Sequence, residues 1–120
     1  MPRFHHVNLG VPPGGVEAQA AFIIDILGYT KKEPTESIRA MGANWFTFDD
    51  GSEIHLSEDP EHRPAERAHV ALEYGDDLDG VRERLEAKSW KYATSDGVGL
   101  QVILCKDPSG NRFELRGNPV

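Results

Sequence analysis

The chain has 120 residues, a length that suits one domain with a core of its own. Its formal net charge of −7 argues against non-specific binding to nucleic acid or to an anionic membrane, because both attract clustered Lys and Arg side chains. Cys105 is the only cysteine, which excludes an internal disulfide and a cysteine zinc cluster.

The first half of the chain has the pattern of a strand, a helix and further strands. No charged leader precedes an apolar run, so we expect a cytoplasmic protein. Residues 4–11 alternate in polarity as a half-buried strand does. Residues 16–27 carry apolar side chains at helical spacing, at positions 20, 23, 24 and 27, with Gly28 at the C-cap. Asp49-Asp50-Gly51 is a hairpin-type turn into a strand that carries His55. Weaker strand candidates are residues 29–34, 37–41 and 44–48.

The second half repeats this order after a solvated segment. Residues 58–67 hold prolines and charges with almost nothing apolar, which predicts a linker. Residues 68–74 alternate as a strand does, and Leu78, Val81 and Leu85 have the spacing of a helix face. Further strands are predicted at residues 90–94, 100–106 and 112–116, with a glycine-rich hairpin loop at 95–99.

Two sequence echoes indicate a duplicated module. Gly51 to Leu56 (GSEIHL) matches Gly110 to Leu115 (GNRFEL), and His6 to Leu9 (HVNL) matches His69 to Leu72 (HVAL). In both cases the copies lie about 60 residues apart. The sequence therefore predicts a single domain of two related modules, each a strand, a helix and three strands. The modules are about residues 4–57 and 68–117.

One polar residue stands at a matched position in each repeated strand. His6 and His69 lie in the first strands of the modules, and His55 and Glu114 lie in the last. All four face away from the apolar residues, because side chains alternate across a strand. If a pseudo-twofold axis relates the modules, the four meet at one point, where three imidazoles and a carboxylate suit a divalent first-row metal. Taken singly, each is more often a hydrogen-bonded or solvated residue.

Three other residues have no counterpart in the repeat. His5 is predicted to pack beneath a helix, and His62 to be a surface residue of the linker. Cys105 alternates into a strand that is predicted to be buried, so we expect it to be an inert, small apolar residue.

The repeated segments resemble the vicinal oxygen chelate superfamily of glyoxalases, bleomycin-resistance proteins and ring-cleaving dioxygenases. The resemblance covers nearly the whole chain, and its most specific motif is Asp107 to Leu115 (DPSGNRFEL). The other matching segments are His6 to Val11, Ala21 to Gly28, His69 to Leu72 and Asp76 to Asp79. The resemblance implies an α+β fold in which two βαβββ modules form a curved, eight-stranded mixed sheet around a metal cavity. It also implies a homodimer.

The resemblance implies a site as well. His6, His69 and Glu114 fall on the superfamily's usual ligand positions, and His55 falls where lactoylglutathione lyases carry Glu and an epimerase branch carries Gln. The implied cofactor is one divalent transition metal per site: Ni, Zn, Mn or Fe. The implied activity is that of a metal-dependent lyase or isomerase, in which the ion chelates adjacent oxygens of a small substrate while Glu114 moves a proton.

Other activities of the same fold stay open. Two histidines and one glutamate also resemble the iron triad of the dioxygenases. Fosfomycin-modifying thiol transferases share His6, His69 and Glu114 but carry threonine where Asn8 stands. A metal-free protein that binds or sequesters a small molecule is the competing class. Candidate cavity-lining residues are Arg39, Trp45, Tyr92, Gln101 and Arg112.

Overall fold

A computed structural model describes all 120 residues of the chain. The chain forms two compact units, Met1–Arg63 and Pro64–Val120. Each unit contains one four-stranded mixed sheet together with helices, so the predicted α+β class is confirmed. Each unit also runs through a strand, a helix and three strands, with one further short helix in the first unit, which confirms the two predicted βαβββ modules.

The first unit holds four strands and two helices. They are β1 (His6–Val11), α1 (Val16–Asp25), β2 (Thr30–Lys32), α2 (Glu36–Arg39), β3 (Asn44–Thr47) and β4 (Glu53–Glu58). The strand order is β1-β4-β3-β2, with β1 parallel to β4 and the other pairs antiparallel. The parallel pair places Asn8 beside His55, so the first and last strands of the module are neighbours.

The second unit repeats this arrangement. Its elements are β5 (His69–Glu73), a 3₁₀ turn (Gly75–Asp77), α3 (Leu78–Ala87), β6 (Tyr92–Ser95), β7 (Leu100–Lys106) and β8 (Arg112–Pro119). The strand order is β5-β8-β7-β6, and β5 is parallel to β8. Ala71 lies beside Glu114, as Asn8 lies beside His55 in the first unit. The registers of the two units are therefore equivalent.

The turns that precede β4 and β8 are alike. Gly51 has a φ of 85° and Gly110 a φ of 86°, in the left-handed region that glycine enters without a steric penalty. A Cβ added to Gly110 would lie 2.9 Å from Cγ of Pro64. Both the backbone conformation and the closeness of Pro64 therefore favour glycine there. These turns set the start of the two strands that carry His55 and Glu114.

Apolar side chains collect on one face of each sheet. Because side chains alternate across a strand, the opposite face is left to the candidate site residues. In the first unit the buried apolar residues include Leu9, Val11, Phe46, Ile54 and Leu56 of the sheet, and Phe22, Ile23, Ile26 and Leu27 in and after α1. In the second unit they include Ile103, Phe113 and Leu115 of the sheet, and Leu78, Val81 and Leu85 of α3.

The prediction of a strand at residues 37–41 is wrong. Residues 36–39 form α2, and no residue of this helix is buried. Ile38, its one large apolar residue, is half-buried, so no buried face exists there for a strand to present. Gly42, with a φ of 83°, follows the helix and turns the chain towards β3.

The helices differ from the predicted pattern in one detail. Ile24 was expected on the buried stripe of α1 but is 41% exposed, whereas Phe22 and Ile26 are buried. Gly28 has the positive φ expected of a residue that ends a helix. Helices α1 and α3 have ten residues each, and none of the helices has the length and apolar character needed to span a bilayer.

Candidate functional site

The first unit brings His6 and His55 together. The two rings stack with their centroids 3.9 Å apart and their planes 17° from parallel. This contact follows from the register, because His55 pairs with Asn8 and His6 lies two residues earlier on the same face of the sheet. The contact between these two predicted site residues is thus built by adjacent strands.

His55 is held on three sides. Trp45, from β3, stacks on His55 with centroids 4.6 Å apart and planes 15° from parallel. Nε2 of His55 lies 2.8 Å from Oε1 of Glu53, and the His55 side chain is only 12% exposed. Two ring contacts and one charged hydrogen bond therefore fix the orientation of His55.

Glu53 is the buried carboxylate of this cluster, with 4% of its surface exposed. Hydrogen bonds from His55 and then from Lys32 lower the pKa of Glu53 from 4.5 to about 2. Glu53 is therefore ionised at neutral pH and accepts the proton that His55 carries on Nε2. Neutral His55 then has its lone pair on Nδ1, the nitrogen free to act as a ligand.

His6 is exposed, and its neighbour His5 is not where the sequence predicted. Desolvation, followed by the nearby His55 and His5, lowers the pKa of His6, which favours the neutral form that binds metals. His5 is exposed with Nδ1 2.9 Å from Nδ1 of His6, so the prediction that it packs beneath a helix is wrong. The strand begins only at His6, so the alternation read from residue 4 does not extend to His5. His62 is half-buried and close to Gly10.

The second unit brings His69 and Glu114 together. Nε2 of His69 lies 3.6 Å from Oε1 of Glu114. Nδ1 of His69 donates a hydrogen bond of 2.9 Å to the carbonyl oxygen of Arg67, so the lone pair of the neutral ring is on Nε2. Metal-binding histidines commonly have this outer hydrogen bond, which fixes both the tautomer and the ring orientation.

Arg116 holds the other oxygen of Glu114. Nη1 of Arg116 donates to Oε2 of Glu114 at 2.6 Å, while Nε of Arg116 lies 3.8 Å from a carboxylate oxygen of Glu73. Glu114 thus has one oxygen bound to the guanidinium of Arg116 and the other facing His69. Sequence reasoning missed Arg116 and Glu53, although each lies two residues from a predicted ligand and hence on the same face of its strand.

The donors of both units fit a divalent first-row metal. No group of three or more His, Cys, Asp or Glu side chains forms a metal-binding arrangement anywhere in the structure, so each unit offers a pair. His69 and Glu114 are separated by little more than adjacent ligands on an ion, which lie about 3 Å apart when each bond is about 2.1 Å. The lone pairs of stacked rings lie in nearly parallel planes, so His6, the exposed partner, must turn before both rings of the first pair can bind one ion.

Each unit has a cavity beside its pair. A cavity of about 740 Å³ in the first unit is lined by residues that include His55 and Trp45. A cavity of about 720 Å³ in the second unit is lined by residues that include His69 and Glu114. Of the residues predicted to line a cavity, Trp45, Tyr92 and Arg112 do so, and Arg39 and Gln101 line neither of these two.

Cys105 has the inert character expected of it. Its side chain is buried, and desolvation, followed by the charge of Asp107, raises the pKa of the thiol to about 12. A thiol that stays protonated at neutral pH is a poor nucleophile.

Comparison with known proteins places this geometry among glyoxalase-like structures. No family model and no curated protein matches the chain. A glyoxalase family protein from Bacillus anthracis superposes with a TM-score of 0.87 at 25% identity, over 98% of this chain and 96% of that one. A glyoxalase/dioxygenase from Nostoc punctiforme gives a TM-score of 0.75 at 19% identity, over 98% and 92% of the two chains.

A third similar structure carries ligands. The fosfomycin resistance protein FosX from Listeria monocytogenes, in a mutant form complexed with Mn(II) and 1S,2S-dihydroxypropylphosphonic acid, gives a TM-score of 0.76. Its identity to this chain is 19%, over 97% of this chain and 92% of that one. All three structures match over nearly their whole length.

Proposed function

We propose that the chain is a member of the vicinal oxygen chelate superfamily and a divalent-metal-dependent enzyme acting on a small substrate, because glyoxalase-like structures superpose on nearly its whole length. The observation that carries the proposal is the His69–Glu114 pair. The hydrogen bond from His69 to the Arg67 carbonyl orients the ring in the way that metal-binding histidines are commonly oriented. The proposed ligands are His6, His55, His69 and Glu114. FosX, a protein of the same fold, has been crystallised with Mn(II) and a small phosphonic acid, which supports a metal and a small-molecule substrate.

The proposed reaction is a proton transfer of the lyase or isomerase type. A bound divalent cation would polarise two neighbouring substrate oxygens and acidify the adjacent C–H group. Oε1 of Glu114, the oxygen that Arg116 leaves free, would leave the cation to accept the proton, while Arg116 keeps Oε2 in place. The hydrogen bond to the Arg67 carbonyl fixes the position of His69. The hydrogen bond to Glu53 and the stacking on Trp45 fix the position of His55.

Metal content tests the proposal. We expect protein purified without added metal to hold one ion per site, and His69→Gln and Glu114→Gln to lose it, because each removes a ligand. His62→Gln and Glu61→Gln are matched controls that change the same residue types outside the ligand set, and they should retain the ion. Metal content that is negligible in the parent protein, or unchanged by Glu114→Gln, would overturn the metal-dependent function.

One observation favours a second candidate, a metal-free protein that binds a small molecule. In the first unit the donor groups already satisfy one another, since His55 is bonded to Glu53 and stacked on His6. A metal-free protein predicts ligand binding that is insensitive to chelators. Among metal-dependent activities, a lyase or isomerase exchanges a substrate C–H with deuterated solvent, whereas a dioxygenase consumes oxygen.

A further inference from the structure

A row of positively charged side chains crosses the second sheet beside the proposed ligands. In the strand register His69 pairs with Arg112, and Arg112 pairs with Lys106, across β5, β8 and β7. Residues paired across strands project from the same face, and so do residues two apart on one strand. Arg112 and Lys106 therefore share a face with both His69 and Glu114.

Neither Arg112 nor Lys106 makes an ion pair or a side-chain hydrogen bond. Arg116, the next residue on this face of β8, is by contrast paired with Glu114 and Glu73. Like charges directly opposite each other on adjacent strands destabilise a sheet. Carboxylates are plentiful, since the chain has 20 acidic and 13 basic residues. Two facing, unpaired cations therefore lower the local stability of the sheet. A shortage of acidic partners does not explain why they stand there.

The first unit shows how the same row is built when its charges are balanced. There His6 pairs with Glu53, and Glu53 pairs with Thr47. Glu53 is bonded to both His55 and Lys32, so its charge is compensated within the unit. The equivalent position in the second unit is Arg112, which has no such partner. The unpaired cations are thus specific to the second unit and do not follow from the fold.

The second-unit cavity joins these cations to an apolar wall. Its lining includes Arg112 and Lys106, together with Trp90 and Leu104. Leu104 is 43% exposed and faces Glu114 across the strands. The lining also holds carboxylates: Asp107 accepts hydrogen bonds within its own turn, and Glu66 is exposed without an ion pair.

We propose that Arg112 and Lys106 bind an oxyanion of the substrate, a carboxylate or phosphonate, while Leu104 and Trp90 contact its apolar part. This inference rests on the proposed function and names the substrate class of that site. Arginine offers a planar pair of donors that matches either oxyanion, and lysine adds a second charge. Because Arg112 and Glu114 are two residues apart on one strand, about 7 Å, one small organic anion can reach both.

Binding of simple probes tests the proposal directly. Phenylphosphonate and benzoate carry the two oxyanions, and benzamide is their neutral analogue. In titrations followed by NMR, we expect both anions to bind saturably and at least tenfold more tightly than benzamide. The indole N–H of Trp90 donates to the carbonyl of Lys106, so its resonance should shift with the anions. No saturable anion binding, or equal binding of benzamide, would overturn the proposal.

Substitutions assign the binding to the named residues. Arg112→Gln and Lys106→Gln should each weaken phenylphosphonate binding about tenfold, the low end for a lost charged hydrogen bond. Arg112→Lys keeps the charge and should retain more of the affinity. Lys31→Gln, an exposed residue of the first unit, makes the same change in net charge and should stay within about twofold of the parent. Losses in Lys31→Gln equal to those in Arg112→Gln would show a general charge effect and overturn the assignment.

The titrations are run on chelator-treated protein and on protein loaded with zinc, a diamagnetic ion that leaves the NMR signals near the site sharp. Anion binding that depends on Arg112 in the chelator-treated protein supports the oxyanion site even if the metal analysis fails. Loss of that dependence in both samples overturns the oxyanion site and leaves the metal-dependent function standing on its own test.

Discussion

Glu53 links His55 to strand β2, because it binds His55 through one oxygen and Lys32 of that strand through the other. Glu53→Gln keeps the shape but removes the charge. We expect the free energy of unfolding to fall by about 1–2 kcal/mol, since hydrogen bonds to charged groups are lost while Lys32 can return to water. Denaturant titration at neutral pH measures this change.

The matched control for Glu53 is Glu61→Gln, an exposed residue of the same unit. Substitutions of this kind on the surface usually change stability by no more than about 0.5 kcal/mol. A Glu53→Gln protein as stable as the Glu61→Gln protein would show that the buried carboxylate is not a structural support of His55.

Cys105 gives a prediction about alkaline pH. Its folded-state pKa of about 12 exceeds its ordinary value of 9.0, so the folded protein keeps a proton that the unfolded chain releases. The contribution of Cys105 to stability is therefore complete below pH 9 and is lost as the pH rises from 9 towards 12. The stability difference between the parent protein and Cys105→Ala should narrow over that range in denaturant titrations. Parallel profiles would contradict the raised pKa.

At this scale the sequence predicts residue identities better than residue contacts. The matched positions in the repeat were enough to single out His6, His55, His69 and Glu114. The roles of Trp45, Glu53 and Arg116 depend on strand register and side-chain rotamers, which alternation alone does not specify. His5 illustrates the limit, because β1 starts at His6, two residues later than predicted, which leaves His5 outside the strand.

At the scale of elements, the turn before β8 is the most constrained local structure that positions a ligand. Gly110→Ala should destabilise the protein by about 1–2 kcal/mol for its positive φ, with a further cost of about 1 kcal/mol or more because the new Cβ would meet Pro64. Gly99→Ala is the matched control, since Gly99 has a φ of 81° and nothing within 4 Å of an added Cβ.

Thermal and denaturant unfolding of the two glycine variants separate these costs. Both should lose the part that comes from backbone strain, and only Gly110→Ala should lose the part that comes from contact with Pro64. Equal losses would mean that Pro64 moves aside without cost and does not constrain the turn.

The order of elements was predictable because long, regular patterns repeat over many residues. Strands β1, β4, β5 and β8 alternate in polarity, and the helix face of Leu78, Val81 and Leu85 has its expected spacing. Helix α2 was missed because four residues are little more than one helical turn and carry no periodic signal. The same shortness explains why no buried residue marks it.

At the scale of the whole molecule, the two units share a topology and differ in their charges. The duplication was predictable from sequence, since equivalent strands carry equivalent motifs. The charges of the paired residues are balanced in the first unit and unbalanced in the second. This difference was not predictable from sequence, because it depends on which side chains face each other across strands. The oxyanion site proposed above therefore belongs to the second unit, because only the row in that unit has unpaired cations facing each other.

The proposed homodimer leads to the last prediction, which concerns the origin of the two ligand pairs. His6 and His55 belong to one unit and His69 and Glu114 to the other, and neither unit alone offers three metal donors. We expect light scattering to give twice the chain mass of 13.3 kDa. If each ion is shared between two copies, a His6→Gln chain paired with a Glu114→Gln chain has one site with both defects and one intact site.

Refolding an equal mixture of these two variants tests the sharing. Random pairing makes about half of the dimers mixed, so about a quarter of the parent metal content should return, although each variant alone holds none. If instead each chain binds its own ion, every chain in the mixture carries one defect and no metal returns. A monomer by light scattering would contradict the homodimer directly and would leave the single chain as the only source of all four ligands.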